Sequence, residues 1–367
     1  MKFSALPFKC PSCGSFMVHK INTFHLECTS CKTTKAIDAT VYTRAKSSIY
    51  DAFNTPANSE SKVIDCPGCG ADIDFKKQQI STLCPYCKTP LVTQPINSIK
   101  PYSILPFSID STSAKEIFKN WLGSLFFAPN SLKKLLDFEY KFKPLYLPYY
   151  SFDSKTFTNY SGERGDAYYI EVQREVYING KVQVVTELER HINWSYVSGS
   201  THRDFYDILI NSKSDLPDIV KQVYNFDLNR LMLYNPAFLS GFESFEYNRE
   251  LEICYKEAKE YMNSVIYSDV LYSIGGDEQR VHSIDSNFNK EVFEVTMLPI
   301  WMSSFNYKSK EYNIAINGVT GEIFGERPYS YTKIFITILI VVMIILGLFY
   351  LDNTYNTSEV SNYIHAY

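Results

Sequence analysis

The chain contains no phosphate-binding loop of the form G-x4-G-K-[ST], which argues against a nucleotide hydrolase or a motor helicase. It also lacks H-E-x-x-H and G-x-S-x-G, the patterns that mount a catalytic zinc or a nucleophilic serine. The opening residues, MKFSALPFKCPSC, hold no apolar run of signal-peptide length. Positive charge is not in excess: 36 Lys and Arg face 40 Asp and Glu, a formal net charge of −4.

Cysteine, by contrast, is present in an ordered pattern. Eight of the nine fall into two quartets, Cys10, Cys13, Cys28 and Cys31, then Cys66, Cys69, Cys84 and Cys87. Each quartet is a C-x2-C pair, a 14-residue spacer and another C-x2-C pair, and the second copy lies 56 residues after the first. Neighbours repeat with them: Pro11 and Pro67, Gly14 and Gly70, Lys32 and Lys88, Thr33 and Thr89. A C-x2-C pair suits a tight knuckle whose free amides face the sulfurs. Two facing knuckles supply four thiolates in the tetrahedron that Zn²⁺ prefers. Disulfides also use even numbers of cysteines, but paired C-x2-C motifs at matched spacing favour metal. Each unit spans 22 residues from first to last ligand, too few to bury a core. A zinc ion, with about 10–16 kcal/mol of binding free energy, then doubles as the source of folding energy. Four thiolates leave no open coordination position, so the expectation is two structural Zn²⁺ and no catalytic metal. His19 and His25 read as ribbon surface.

Charge weighs against nucleic acid as the ribbons' partner. Residues 1–95 hold 11 Lys and Arg and 7 Asp and Glu, and each tetrathiolate zinc centre contributes about −2. The two centres cancel the surplus of cations on which phosphate binding draws. Lys76 and Lys77 remain as a local basic patch.

Residues 334–351, IFITILIVVMIILGLFYL, form an uncharged run in which 14 of 18 are Ile, Leu, Val or Phe. As a helix about 27 Å long it approaches the roughly 30 Å of a bilayer's hydrocarbon. Tyr329, Tyr331 and Tyr350 flank it as interfacial anchors. Arg327 and Lys333 precede it, whereas the tail 352–367 has no Lys or Arg. The positive-inside rule then places the N-terminal bulk in the cytoplasm and the short tail outside. A reducing cytoplasm also keeps thiolates free. The expectation is a single-pass protein of the cell membrane.

Between these ends, residues 36–62 carry few large apolar side chains and include Asn54, Pro56, Asn58 and Ser59. They read as a flexible linker joining a first ribbon, 1–35, to a second, 63–95. Residues 100–328 read as a β-rich α+β cytoplasmic domain. It opens with a helix whose capping box is Ser113 and Glu116 and whose apolar face is Ile117, Phe118, Trp121, Leu122 and Leu125. A hairpin follows, 168–178 and 181–196, around Asn179-Gly180, the pair preferred by a type I′ turn. On its second strand Val182, Val184, Thr186, Leu188, Ile192, Trp194 and Tyr196 share one face. A helix over 248–273 repeats Leu251, Cys254, Tyr255, Ala258, Met262, Val265 and Ile266 and stops at Gly275-Gly276. A last hairpin centres on Tyr312, Ile314 and Ile316.

Two polar clusters invite a catalytic reading. His202-Arg203-Asp204 with Asp207 reads more simply as a charged turn after a strand, and Gly276 to His282 as a helix end entering a strand. Cys254 reads as a small hydrophobe.

The order of parts resembles a bacterial family of membrane-anchored tandem zinc-ribbon proteins, labelled TFIIB-type zinc ribbon or primosomal-helicase-like. The stretches that carry the resemblance are CPGCGADIDF…CPYCKTPLV, LPYYSFDSKTFTNYSGERGDAYY, YNPAFLSGFESFEY, IGGDEQRVHS and INGVTGEIFGERPYS. The resemblance implies cytoplasmic partners of the phage-shock and flotillin-like kinds, held at the membrane during envelope stress. It implies no catalytic residue; what carries over is the set of ligand cysteines. The expectation is an α+β chain with two N-terminal zinc ribbons and one C-terminal transmembrane helix, acting as a non-enzymatic, membrane-tethered adaptor. The alternative is a nucleic-acid-binding zinc-ribbon protein tethered to the membrane and serving replication or transcription.

Overall fold

The computed structural model describes residues 2–53, 55, 62–76, 78–132, 141–178 and 181–364. In chain order its strands are β1 (Lys2–Phe3), β2 (Met17–His19), β3 (His25–Cys28), β4 (Thr34–Ala36), β5 (Ser47–Ser48), β6 (Lys62–Asp65), β7 (Asp72–Phe75), β8 (Gln79–Leu83), β9 (Pro90–Val92) and β10 (Pro101–Ile104). Helix α1 (Ser111–Ser124) precedes β11 (Lys143–Ile178), β12 (Lys181–Asn211), β13 (Met232–Leu233) and β14 (Glu243–Phe245). Helix α2 (Leu251–Ile274), β15 (Glu278–Tyr307), β16 (Lys310–Asn317), β17 (Ile323–Gly325) and α3 (Tyr331–Ile364) complete the chain. The fold is α+β and rich in strand.

The chain forms two units, the first comprising Met1–Ser108, Pro144–Leu216 and Phe226–Ile300. Its main sheet runs β13-β10-β15-β11-β14-β8-β9, with β12 added to β11 and β5 to β15. The central strands read as near-continuous apolar runs because both faces are covered. Leu145, Tyr146, Leu147, Tyr149, Tyr150 and Phe152 of β11 are buried, as are Phe293, Val295, Met297, Leu298 and Ile300 of β15. Helix α2 covers one face through Leu251, Cys254, Tyr255, Ala258, Met262, Ile266, Val270 and Ile274, which recur every three or four residues. Gly275, at φ +67°, ends it in a conformation that side chains resist. Burial pushes the Cys254 thiol up to about 12, so it packs as an inert hydrophobe.

The second ribbon is built into this sheet. Strand β8 pairs with β9 and, through Ser81 and Gln79, with β14. Strand β6 pairs with β7 and accepts β1, from the chain's start, in parallel. At the join, Lys62 Nζ lies 3.0 Å from Glu246 Oε1, with both side chains 2% exposed. The same carboxylate accepts from the Ile96 amide at 2.9 Å and the Asn97 amide at 2.6 Å.

Sequence composition suggested a flexible linker over 36–62, but its described part is docked. Ile37 and Ile49 are buried, and β5 pairs with β15. Lys46, 1% exposed at its side chain, reaches Asp153 at 2.6 Å, Asp207 at 2.7 Å and Ser151 at 2.8 Å. Burial works against the Asp207 carboxylate, but Lys46 and Arg44 hold it below the ordinary range. Two carboxylates inside the fold need two cations, and this segment supplies them. Asn54, Pro56, Asn58 and Ser59 lie outside the described residues. The sequence also suggested one domain over 100–328; in the structure residues 1–108 share a unit with 144–216 and 226–300, because ribbon strands join the sheet.

The hairpin is far longer than 168–196: β11 and β12 pair antiparallel from Tyr149↔Asn211 to Ile178↔Lys181, with one shift of register between Phe152 and Ser154. The Asn179-Gly180 pair lies outside the described residues. Strand β15 begins at Glu278, level with Gly165, whose carbonyl accepts from the Asp277 amide at 2.8 Å. Beyond that point the ribbon is two-stranded among the described residues, and Tyr169, Tyr177, Val184 and Leu188 are exposed on it.

The second unit comprises Ile109–Lys143, Pro217–Asn225 and Trp301–Tyr367. The cap of α1 is Asp110, whose carboxylate accepts from the Ser113 amide at 2.7 Å, and not the Ser113–Glu116 box. Asp110 lies three residues earlier and answers the same need for an acceptor at the first turn. Ala114, Phe118 and Leu122 face inward. Strands β16 and β17 pair across a turn in which Asn317 Oδ1 accepts from the Val319 and Thr320 amides. Helix α3 contains Tyr331–Leu351, long and apolar enough to cross a membrane and with none of it buried.

Replacing Glu246 by Ala removes the carboxylate that neutralises Lys62 and accepts from two amides. The expected loss is on the order of 3 kcal/mol, read as a lowered denaturation midpoint of the full chain in detergent. A loss below about 1 kcal/mol would mean that this buried pair is not what fastens ribbon to sheet.

Candidate metal centres

The four sulfurs of each quartet converge. Within Cys10, Cys13, Cys28 and Cys31, and within Cys66, Cys69, Cys84 and Cys87, all Sγ atoms lie within 4.8 Å of one another. The Cys10–Cys31 and Cys13–Cys28 separations are 3.6 and 3.5 Å; Cys66–Cys87 and Cys69–Cys84 are 3.5 and 3.8 Å. A disulfide needs about 2.05 Å. A tetrahedron of sulfurs with metal bonds of about 2.3 Å has edges of about 3.8 Å. The spacing is that of a tetrathiolate cage, and each cage could hold one metal ion, compatible with zinc.

Local backbone explains why neighbours repeat along with the cysteines. In the first knuckle of each ribbon, the leading cysteine's amide donates across the loop, Cys10 to Ser15 O at 2.7 Å and Cys66 to Ala71 O at 2.9 Å. Its carbonyl accepts from Gly14 or Gly70, both at φ +74°. That left-handed turn suits glycine. In the second knuckle Lys32 and Lys88 take the equivalent strain at φ +63° and +62°. Amides turn toward sulfur as the motif requires: Ser12 N lies 3.4 Å from Cys10 Sγ and Cys31 N lies 3.5 Å from Cys28 Sγ.

Thr33 and Thr89, noted in the sequence only as a repeat, have a chemical place. Thr33 Oγ1 lies 3.2 Å from Cys31 Sγ and Thr89 Oγ1 lies 3.1 Å from Cys87 Sγ. Hydroxyl and amide of Thr89 together pull the Cys87 thiol down to about 6, and Thr33 lowers Cys31 in the same way. Both favour the thiolate, the form that binds metal. In each tetrad the first and third cysteines are buried and the second and fourth exposed, so one edge of every cage faces water.

His25 is exposed, but His19 is not ribbon surface: it is 4% exposed, packed edge-on to Phe238 with its Nε2 2.8 Å from Thr23 O. Burial lowers it to about 4, so it is neutral and structural. It is buried because β2 docks on the loop before β14: the His19 amide donates to Ser240 O, and Ser240 Oγ donates to Met17 O.

The other polar clusters do not assemble. His202, Arg203 and Asp204 lie within β12 rather than in a turn. Arg203 pairs with Asp269 and Asp204 with Lys155, while Asp207 belongs to the Lys46 network. His202 sits opposite Phe157, whereas Asp277 binds the Ala167 amide; the separation along β11 is roughly 30 Å at about 3.3 Å per residue. Gly275 and Gly276 form the expected helix end, and β15 starts at Glu278. Of the basic patch, Lys76 pairs with Glu243 at 3.6 Å and Lys77 lies outside the described residues.

No family model matches the chain, and no solved structure matches it. It is similar to a protein of Bacillus subtilis (strain 168) described as uncharacterized protein YdjG. The two are 24% identical over 348 residues, which cover 90% of this chain and 92% of that one.

Elemental analysis of the purified full chain is expected to return two zinc ions per molecule, and Cys66→Ser to retain one. A single ion in the unsubstituted chain, or iron with visible absorbance, contradicts the assignment.

Proposed function

We propose that the protein is a non-enzymatic adaptor, held in the cell membrane by residues 334–351 and presenting its zinc-stabilised ribbons and β-rich core to cytoplasmic partners. The observation that carries this reading is the joint presence, in one chain, of two closed tetrathiolate cages and a helix of bilayer length. Closed cages build surfaces rather than reactions, since they leave no coordination position for a substrate. A single spanning helix confines whatever binds that surface to two dimensions. The exposed apolar side chains on the two-stranded end of β11–β12 support a protein-binding role, because such ribbons are recognised by strand addition.

The partner class follows from the resemblance noted in the sequence: flotillin-like and phage-shock proteins are the first candidates. Arg327 and Lys333 before the helix, with no Lys or Arg after it, support a cytoplasmic placement of the bulk. The zinc ions supply folding free energy here and no catalytic chemistry.

Binding and anchoring are separable on this account. A chain ending at Pro328 is expected to bind the partner and leave it in the cytosol. Cys10→Ser with Cys66→Ser is expected to stay in the membrane without it. Fluorescence imaging of a tagged flotillin-like protein reads both. Full recruitment by the double cysteine variant would remove the ribbons from the docking surface, and a salt-dependent gel shift with DNA or RNA would favour the nucleic-acid reading instead.

A further inference from the structure

The turn that follows α1 carries two phenylalanines where water-facing turns carry Gly, Pro, Asn, Asp or Ser. Leu125 and Ala128 anchor its ends, at 4% and 6% exposed, and the Ala128 amide donates to Leu125 O at 3.3 Å. Between them Phe126 is 71% and Phe127 38% exposed, their rings edge to face at 5.1 Å. Nothing in the turn's own geometry calls for apolar residues. Its surroundings do.

The turn is tied to the base of α3. The Ser330 amide donates to Phe127 O at 2.7 Å, and Lys333 Nζ donates to Phe126 O at 3.1 Å and Ala128 O at 2.8 Å. Ile334, the first residue of the apolar run, follows Lys333 directly. The two phenylalanines are therefore held within about one helical turn, roughly 5.4 Å, of the level at which the apolar run begins. At that level Tyr329, Tyr331 and Phe335 are also exposed, beside Arg327 and Lys333. Aromatic rings mixed with basic residues are the composition of a membrane–water interface.

We infer that the Phe126-Phe127 turn inserts into the interfacial layer of the bilayer, as a second lipid contact beside the spanning helix. The inference rests on the reading of α3 as a membrane span. Two contacts fixed to one another restrict rotation and tilt of the helix, which a lone span leaves to its flanking residues. The lysine has a defined part in this arrangement: its ammonium joins the turn's carbonyls to the helix base, so the turn cannot swing away without exposing them.

The test uses the full chain reconstituted in nanodiscs whose phosphatidylcholine is brominated at either a shallow or a deep acyl position. Phe126→Trp reports the turn and Ile340→Trp the span, each read as emission added to that of the three native tryptophans. The added Phe126→Trp emission is expected to lose most of its intensity with shallow bromine and less with deep; Ile340→Trp is expected to show the reverse. If Ile340→Trp is quenched and Phe126→Trp is not, the turn is outside the lipid and the inference is overturned while the span stands. If neither is quenched, the span itself fails and the inference falls with it. Both sites are exposed, so the substitutions spare the core.

Discussion

Four sulfurs closing on one point is the constraint from which the strand-rich part of the chain is assembled. A 22-residue ribbon buries little; the apolar cluster of the second consists of Ile64, Cys66, Ile73, Phe75, Cys84 and Leu91, two of them ligand cysteines. Without a cross-link such a unit is too small to hold its shape. With one, its strands become edges that a larger sheet can use. Strand β8 then pairs with β14 and β14 with β11, so the cage stands two strands from the centre of the core. The free energy of an ion bound in that cage would thereby contribute to more than the four cysteines around it.

Charge decides how the pieces dock. Lys62 with Glu246 and Lys46 with Asp153 are buried pairs that lose hydration on folding, and the half-buried Asp207 completes the second. Their value lies in position, since a carboxylate left without its cation inside the fold costs several kcal/mol. Each pair admits one register of ribbon or connecting segment against the sheet. At the other end of the chain a lysine fastens by hydrogen bonds alone, Lys333 joining the carbonyls of a turn to the base of α3.

Much of this was legible in the sequence, for local reasons. Metal-ligand spacing is a short-range code, so all eight cysteines could be grouped before any fold was known. The apolar run, the helix at Leu251–Ile274 and the final hairpin likewise depend on periodicity within a few turns. What could not be read was association between distant segments. The 36–62 stretch looks unstructured because the carboxylates it neutralises, Asp153 and Asp207, lie more than a hundred residues away. His19 looks exposed because Phe238 and Ser240 bury it from outside its ribbon. The α1 cap was missed by three residues because Ser113 and Asp110 both fit the local rule. Thr33 and Thr89 left a signal in the sequence, their repetition beside the cages, but their chemical role needed coordinates.

A ribbon hung on a flexible tether and a ribbon sewn into the core respond differently to loss of metal. Hydrogen–deuterium exchange of the full chain, with and without a chelator, separates them. The account predicts that stripping the metals raises exchange in the ribbons and also in Glu243–Phe245 and the amides of Ile96 and Asn97, which the second ribbon supports. Increased exchange confined to residues 8–36 and 64–92, with those amides unchanged, would contradict it.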